Sequence, residues 1–201
     1  MNRRLFTLTA AAGLLTSSLP VTAQPSSRTA QGSWDVMNAA MAGIRDADST
    51  QAALTAWGAS ARNVLPYLHM TALLSRVSPE GTPQSIGDVR RIFSTVPSAY
   101  PVGGWKHLTG SDWSRHVLER QQVLVASGND ALATYFPDHE LLRSLGTRTL
   151  VNIPVVVCRK TVGAFAFLCA QEVVAADATA EIERLASVAA PVFLFTGMAD
   201  K

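Results

Sequence analysis

The segment Leu150-Val-Asn-Ile-Pro-Val-Val-Val157 and the apolar run that ends at Cys169 carry the clearest structural signal in the chain. Both are continuous apolar runs, and the residues Arg159-Lys-Thr161 between them are typical of a tight turn. They predict an antiparallel hairpin whose first strand begins near Thr149. Pro154 has no backbone N–H to donate, so we expect an edge position or a bulge there.

This hairpin separates the two cysteines of the chain, Cys158 and Cys169. Cys158 would lie beside the turn and Cys169 near the open end, roughly 20 Å apart at about 3.3 Å per residue. The Cα atoms of a disulfide lie within about 7 Å of each other, so we expect two free thiols. The sequence has no Cys/His cluster of the kind that holds zinc, and neither a metal nor a cofactor is expected.

Upstream of the hairpin, the sequence predicts three further strands. Residues 68–77 are apolar and bounded by Pro66 and Pro79, and a turn rich in Pro, Gly and Ser leads to a partner strand at residues 88–95. A short strand is predicted at residues 122–126. Five strands joined by hairpins or helical segments favour an antiparallel sheet covered by helices, an α+β layer structure.

Helices are predicted at both ends by apolar residues that recur three and four positions apart. The first carries an apolar face made of Met37, Ala40, Met41 and Ile44. The second carries one made of Ala53, Leu54, Trp57 and Ala61. The last helix is predicted to be capped by Asp177 and kinked at Pro191.

The middle of the chain is less regular. Residues 96–110 contain two prolines and three glycines, and we expect an irregular segment there. Ser111 is a suitable cap for a short helix. Two further helical pieces are predicted at residues 129–136 and 138–145, broken by the proline between them.

Residues 1–23 have the three parts of an export signal. Asn2-Arg-Arg4 is cationic, residues 5–19 are apolar but too short to span a bilayer stably, and small residues precede a cleavage position after Ala23. The arginine pair also resembles a twin-arginine signal, and the export route stays open between that and the general one. We expect a periplasmic or secreted protein, whereas a start at Met37 would give a cytoplasmic one.

The polar residues 24–33 predict a disordered lead-in, and residues 34–201 suffice for a single domain. Hydrophobic residues make up 48% of the chain and charged residues 16%, which favours a packed core. Of the 17 basic residues, Arg3 and Arg4 lie in the predicted signal, so 15 basic residues balance 15 acidic ones. A chain so close to neutral is not expected to bind nucleic acid.

Five segments resemble, in the same order, the ligand-pocket half of stand-alone bacterial GAF proteins. They are Ile92-Phe-Ser-Thr-Val-Pro-Ser-Ala-Tyr-Pro-Val-Gly-Gly-Trp-Lys106, Ser111-Asp-Trp-Ser-Arg-His-Val-Leu118, Phe136-Pro-Asp-His139, Ser144-Leu-Gly146, and Leu150-Val-Asn-Ile-Pro-Val-Val-Val157 with Val162-Gly163. The ordered set covers about 75 residues. Residues 34–201 are therefore identified as resembling a single GAF domain.

The resemblance implies an α+β fold with an antiparallel sheet of five or six strands, terminal helices on one face and a ligand pocket on the other. It also implies homodimers formed through the terminal helices. The chain departs from the cyclic-nucleotide-binding members, whose spaced signature is missing. Its cysteines do not lie where those of the free-methionine-sulfoxide-reducing branch are expected. We expect no fused output domain, because the chain ends about where the last GAF helix ends.

The candidate ligand-binding residues are Tyr100, Lys106, Trp113, Arg115, His139 and Asn152. Aromatic walls with a few cations suit a small anionic or aromatic metabolite, since rings bury apolar area and cations pair with a carboxylate. The structural alternative is that Trp113 only anchors the short helix, while Lys106 and Arg115 are solvated.

His139 is the candidate catalytic residue. Its neighbour Asp138 could orient it as an acid or base, but the role that we expect for Asp138 is to cap the following helix, with His139 in the first turn. Two functions remain. The first is a small-molecule-binding module, a sensor that acts through a partner. The alternative is a small stand-alone enzyme, a lyase or reductase acting on a small molecule such as a hydroxylaminobenzoate-like aromatic.

Overall fold

The computed structural model describes residues 30–76 and 87–199. The predicted export signal, residues 24–29 of the lead-in and most of the turn before residue 88 lie outside these ranges. The helices are α1 (Ala30–Arg45), α2 (Thr50–Val64), α3 (Gly128–Tyr135), α4 (His139–Ser144), α5 (Ala176–Val188) and α6 (Ala190–Ala199), with a short π-helix at Ser114–Glu119. The strands are β1 (His69–Ser75), β2 (Asp88–Ser94), β3 (Gly103–His107), β4 (Leu124–Ser127), β5 (Thr149–Val157) and β6 (Lys160–Cys169).

All six strands form one antiparallel sheet in the order β3-β2-β1-β6-β5-β4. The sixth strand is β3, which lies in the segment predicted to be irregular. Gly103 and Gly104 open it with positive φ angles, and its pairing with β2 slips at Arg90/Arg91, so no regular apolar alternation marks it in the sequence. The expected α+β sheet of five or six strands is confirmed.

The turn of the β5–β6 hairpin consists of Cys158 and Arg159, whereas the sequence predicted a turn at residues 159–161. Cys158 and Arg159 both have positive φ, 48° and 62°, as the two central residues of a tight hairpin turn require. Pro154 lies beyond the stretch of β5 that pairs with β4, and a register shift follows at Val155/Val156, so the expected edge position and bulge are both present. The two cysteines are free, as expected.

One face of the sheet is sealed by the terminal helices. Trp57 of α2 is fully buried and stacks on Phe165 of β6, with ring centroids 4.0 Å apart. Its indole N–H donates to the backbone oxygen of Leu185 in α5 at 3.1 Å, which joins the two helices over the sheet. The face predicted for the second helix is therefore confirmed.

The N-terminal helix begins earlier than expected. Residues 30–33, predicted to be disordered, are helical, because α1 starts at Ala30 and Val36 already packs into the core. Ala40 is buried within the predicted face, but Met41 is 53% exposed and does not belong to it. The buried face of the first helix is therefore narrower than the apolar face that its sequence predicts.

The predicted last helix is two helices, α5 and α6, bent by 43° relative to each other. The break falls at Ala189, next to the expected kink at Pro191. Asp177 does not cap α5, whose N-cap is Ala175; its carboxylate accepts a hydrogen bond from the backbone N–H of Ala178 in the first turn. Within the described ranges, no single helix is long and apolar enough to cross a membrane. The bent pair α5 and α6 has, taken together, the length and the apolar composition of a membrane span.

Candidate functional site

The other face of the sheet carries a cavity of about 380 Å³. Its floor is formed by side chains of four adjacent central strands, including Thr71, Ala166 and Asn152. The residues between α3 and α4, the β2–β3 loop and the segment before the π-helix close over it. A cavity of this size is in the usual range for small-molecule sites.

The alternation along β6 explains why the cavity exists. Phe165 and Phe167 point to the helices and are fully buried, whereas Ala164 and Ala166, which alternate with them, point to the other face. Successive strand residues face opposite sides, so one run of sequence provides large rings for the core and small side chains for the cavity floor. Space is left there because methyl groups cannot reach the opposite wall.

Arg91 and Lys106 bring positive charge to one end of the cavity. The guanidinium carbon of Arg91 lies 4.9 Å from the ring centroid of Tyr100, and its Nη1 donates to the backbone oxygen of Pro101 at 3.3 Å. Its Nε is buried without a hydrogen-bond partner in the described part of the chain. Burial lowers the pKa of Arg91, while Tyr100 and Asp138 counteract that shift. A partly dehydrated cation of this kind favours an anionic partner.

Tyr100 connects the β2–β3 loop to the start of α4. Its phenol donates a hydrogen bond of 2.9 Å to Oδ2 of Asp138. Burial, and then this hydrogen bond, raise the pKa of Tyr100, so the phenol keeps its proton at neutral pH. Asp138 occupies the N-cap position of α4, but its side chain makes no capping hydrogen bond and is directed to Tyr100 instead. The expected capping role of the Asp138 carboxylate is therefore wrong.

Trp113 and Asn152 form a buried pair at the other end of the cavity. The indole N–H of Trp113 donates to Oδ1 of Asn152 at 3.1 Å, and the two residues are 5% and 2% exposed. Nδ2 of Asn152 is buried and has no partner within the described residues. Trp113 also packs with Val89 and Ala164 in a small apolar cluster, so it both anchors its segment and lines the cavity.

The structure brings four of the six predicted ligand-binding residues to this cavity: Tyr100, Lys106, Trp113 and Asn152. Arg115 is not among the lining residues; it is exposed and pairs with Asp112 and the backbone oxygen of Gly110. His139 is not among them either. Its Nδ1 lies 3.2 Å from the backbone oxygen of Phe136 and its Nε2 lies 3.5 Å from Glu140, so Asp138 does not orient it.

Two charged residues at the cavity, Arg91 and Asp138, were not predicted as ligand-binding residues. Arg91 follows another arginine in β2, and register shifts in both neighbouring pairings hide which of the two faces the cavity. A charged pair inside a buried strand is itself the signal that could have identified it. Asp138 reaches the cavity through Tyr100, 38 residues away, a contact that no local pattern indicates.

Neither cysteine of the chain lines the cavity. Cys158 is exposed in the hairpin turn, and Cys169 is buried on the helix-covered face, where burial raises the pKa of its thiol to about 12. Within residues 30–76 and 87–199, no three His, Cys, Asp or Glu side chains are grouped so as to hold a metal ion.

Known protein structures share this architecture, although no family model and no curated protein sequence matches the chain. The GAF domain of a phosphoenolpyruvate-protein phosphotransferase from Acinetobacter superposes with a TM-score of 0.64 and 13% identity, over 85% of this chain and 97% of that one. The equivalent domain from Coxiella burnetii gives a TM-score of 0.64 and 13% identity, over 86% and 99%.

A third similar structure is an enzyme. The free methionine-R-sulfoxide reductase from Neisseria meningitidis, solved with its substrate, superposes with a TM-score of 0.53 and 11% identity, over 86% of this chain and 96% of that one. Identities this low establish the architecture and not the activity. With its six-stranded antiparallel sheet, helix-covered face and opposite cavity, this chain has the fold of a GAF domain.

Proposed function

We propose that this chain is an exported small-molecule-binding GAF module whose ligand is a small anion with an apolar body. The observation that carries the proposal is the cavity of about 380 Å³, which has Arg91 and Lys106 at one end and mostly apolar walls. GAF domains are commonly regulatory modules that bind small ligands, and this general role agrees with the architecture.

The charges around the cavity favour an acid over an amine. Arg91 and Lys106 are opposed by one lining carboxylate, that of Asp138, and this carboxylate already accepts the Tyr100 phenol. The local charge is therefore positive, and the Nε of Arg91 still lacks an acceptor within the described residues. A carboxylate placed there would satisfy a buried donor and neutralise a partly dehydrated cation.

The proposal is tested by a thermal-shift screen of small acids, including benzoate, 4-hydroxybenzoate and hexanoate, followed by titration calorimetry. We expect Arg91→Met to weaken binding of the best acid by about 10- to 100-fold, since a hydrogen bond to a charged group contributes roughly 1.5–3 kcal/mol. Lys106→Met should cost less, about 3- to 10-fold, because Lys106 is exposed and its charge is screened.

Arg115→Met is the matched control, because it removes an arginine that lies outside the cavity lining. Its affinity should equal that of the parent protein. If Arg91→Met and Arg115→Met weaken binding equally, the acid is attracted by the general surface charge and the cavity is not its site.

The enzyme alternative is examined with the same acids. A reduction carried out by protein thiols would need a thiol at the ligand, and neither Cys158 nor Cys169 lines the cavity. A lyase would use Asp138, the carboxylate that lines it. If mass spectrometry finds an acid converted by the parent protein but not by Asp138→Asn, the chain is an enzyme.

Export through residues 1–23 is part of the proposal. The alternative, a cytoplasmic protein that starts at Met37, would lack the first turns of α1, which begins at Ala30. It would also lose Val36, which is buried in the core, and this favours the longer chain with its export signal. Expressed in its native host, the protein should be recovered outside the cytoplasm with Gln24 at its N-terminus. A cytoplasmic product that retains Met1 would contradict export.

A homodimer through the terminal helices is also proposed. Large apolar side chains are exposed on α1 and α6: Trp34, Met41, Leu194, Phe195 and Met198. Light scattering should give a dimer mass at tens of micromolar and a monomer for Phe195→Glu. Val173→Glu is the control, since Val173 is 81% exposed but lies outside these helices and should leave the dimer intact. A monomer mass for the parent protein would refute the dimer.

A further inference from the structure

We infer that the cavity contains a second subsite at Asn152, and that the ligand carries an uncharged acceptor oxygen, a ketone or amide carbonyl, at the end opposite its acid group. This inference rests on the proposed function and narrows the ligand class. It depends on the orientation of one buried amide and on where that amide lies relative to Arg91.

Trp113 fixes the orientation of the Asn152 amide. An indole N–H can only donate, so the atom of Asn152 that lies 3.1 Å from it must be the carbonyl oxygen, Oδ1. The NH₂ group, with two donors, is therefore on the remaining side of the side chain. Because both residues are at least 95% buried, solvent does not compete for this bond.

The NH₂ group of Asn152 has no hydrogen-bond partner in the described ranges, and Nδ2 is shielded from bulk solvent. Asn152 lines the cavity, whose nearby floor consists of residues that offer no acceptor side chain, such as Ala166 and Leu150. Buried polar groups are nearly always satisfied, and an unsatisfied one costs about 1–3 kcal/mol. A group held in the cavity is placed to supply the missing acceptor.

Asn152 and Arg91 are too far apart to bind the same acid group. Asn152 pairs with Ala166 of β6, which pairs with Thr71 of β1, and Arg91 lies one strand further, in β2. Three strand intervals are roughly 14 Å, and the offset of two residues along the strands is about 7 Å at right angles to these intervals, so the two Cα atoms lie about 16 Å apart. The cavity therefore has one positively charged end and one neutral end that donates hydrogen bonds.

The chemistry of the two ends defines the ligand. The carboxylate belongs with Arg91 and Lys106, where it finds charge. The far end faces a neutral amide, where a second carboxylate would be dehydrated without a counter-ion and an ammonium group would meet donors. A carbonyl oxygen suits this end, because it accepts hydrogen bonds and carries no charge.

Two pairs of acids with matched shapes test the inference by titration calorimetry. They are 4-acetylbenzoate against 4-isopropylbenzoate, and 4-oxopentanoate against 4-methylpentanoate. In each pair a carbonyl oxygen is replaced by a methyl group of similar size at the end remote from the acid. We expect the carbonyl compound of the pair that binds to be favoured by about 3- to 10-fold, the range of one neutral hydrogen bond.

Variants assign that preference to the amide. Asn152→Leu should abolish it while the apolar analogue still binds. Trp113→Phe keeps Asn152 but removes the N–H that orients it, so the preference should shrink to less than twofold. Arg91→Met should weaken both members of a pair by the same factor and leave their ratio unchanged, which a general loss of structure around Asn152 would not do.

The outcomes separate the inference from the proposed function. If the acids bind with dependence on Arg91 but the two members of each pair have equal affinity, the subsite at Asn152 is overturned and the anion-binding function stands. A preference that survives in Asn152→Leu also overturns it. If no acid binds, the proposed function and the inference fail together.

Discussion

The two faces of the sheet are built from the same strands and differ in how they are filled. On the helix-covered face, Phe165 lies between Trp57 and Phe193, with ring centroids 4.0 Å and 5.2 Å away. On the cavity face, the next residue along the strand is Ala166, and space is left above it. The first face holds most of the buried apolar side chains, and the second provides the space for a ligand.

This difference shows that stability and binding are assigned to alternate residues of one strand. Dense packing is needed only on the side where the helices lie, because burial of large rings there holds the sheet together. The other side keeps small and polar residues at some cost in stability. Substitutions on the two faces should therefore affect different measured quantities.

Trp57→Ala should have the largest effect. Removal of a fully buried ring that stacks on Phe165 and bonds to Leu185 should lower the free energy of unfolding by about 3–5 kcal/mol. Trp34→Ala, in which the ring is 61% exposed, should change it by less than about 0.5 kcal/mol. Urea unfolding at a protein concentration low enough to keep the chain monomeric measures both. Equal losses would mean that the helix face is not the main core.

Gly163→Ala should have the next largest effect, through overpacking. A Cβ at this position would overlap the ring of Phe193 in α6 and lie 2.6 Å from the backbone oxygen of Leu73. We expect a loss of about 1–3 kcal/mol in the free energy of unfolding. Gly197→Ala is the control, for which we expect the opposite sign. An alanine Cβ has room at this position of α6, and alanine favours the helix more than glycine does, so the free energy of unfolding should rise by up to about 1 kcal/mol. A stabilised Gly163→Ala variant would show that α6 packs loosely.

Ala166→Leu tests the cavity face. The larger side chain should occupy the cavity and weaken binding of the best acid by at least about tenfold, which corresponds to 1.4 kcal/mol. The free energy of unfolding should change by less than about 1 kcal/mol, because the cavity has room for the added atoms. Ala133→Leu, at an exposed position of α3, should alter neither quantity. A large loss of stability with unchanged binding would reverse the assignment of the two faces.

The cysteines should show the smallest effect, a difference in reactivity alone. Cys158 is exposed in the hairpin turn, whereas burial raises the pKa of Cys169 to about 12 and keeps its thiol protonated at pH 8. Without reductant, iodoacetamide should modify native protein at Cys158 only, and denatured protein at both positions. Mass spectrometry of the peptides decides, and protection of both thiols after denaturation would reveal a disulfide.

The helix-covered face was the more predictable of the two. The buried apolar residues of α2, including Trp57, recur at helical spacing, which predicts the helix. The continuous apolar runs at β5 and β6 predict buried strands. β3 was missed because its two glycines and the slipped pairing remove any alternation. Local patterns are sufficient where one face of an element is uniformly buried.

The cavity face was predictable only in part. Tyr100, Lys106, Trp113 and Asn152 were expected near a pocket and line the cavity, although their roles in binding stay predictions. Arg91, Asp138 and the position of His139 depend on contacts between residues distant in sequence, such as the bond from Tyr100 to Asp138. A single sequence does not specify which partner such side chains will select.

Because the bond between Tyr100 and Asp138 ties the β2–β3 loop to the start of α4, it has a kinetic consequence. We expect a ligand to enter and leave the cavity where these two segments meet, and to need their separation in both directions. Breaking the bond therefore speeds arrival and departure together, and their ratio changes little. On this basis, Tyr100→Phe would shorten the residence time of a bound acid without a matching change in how tightly it is held.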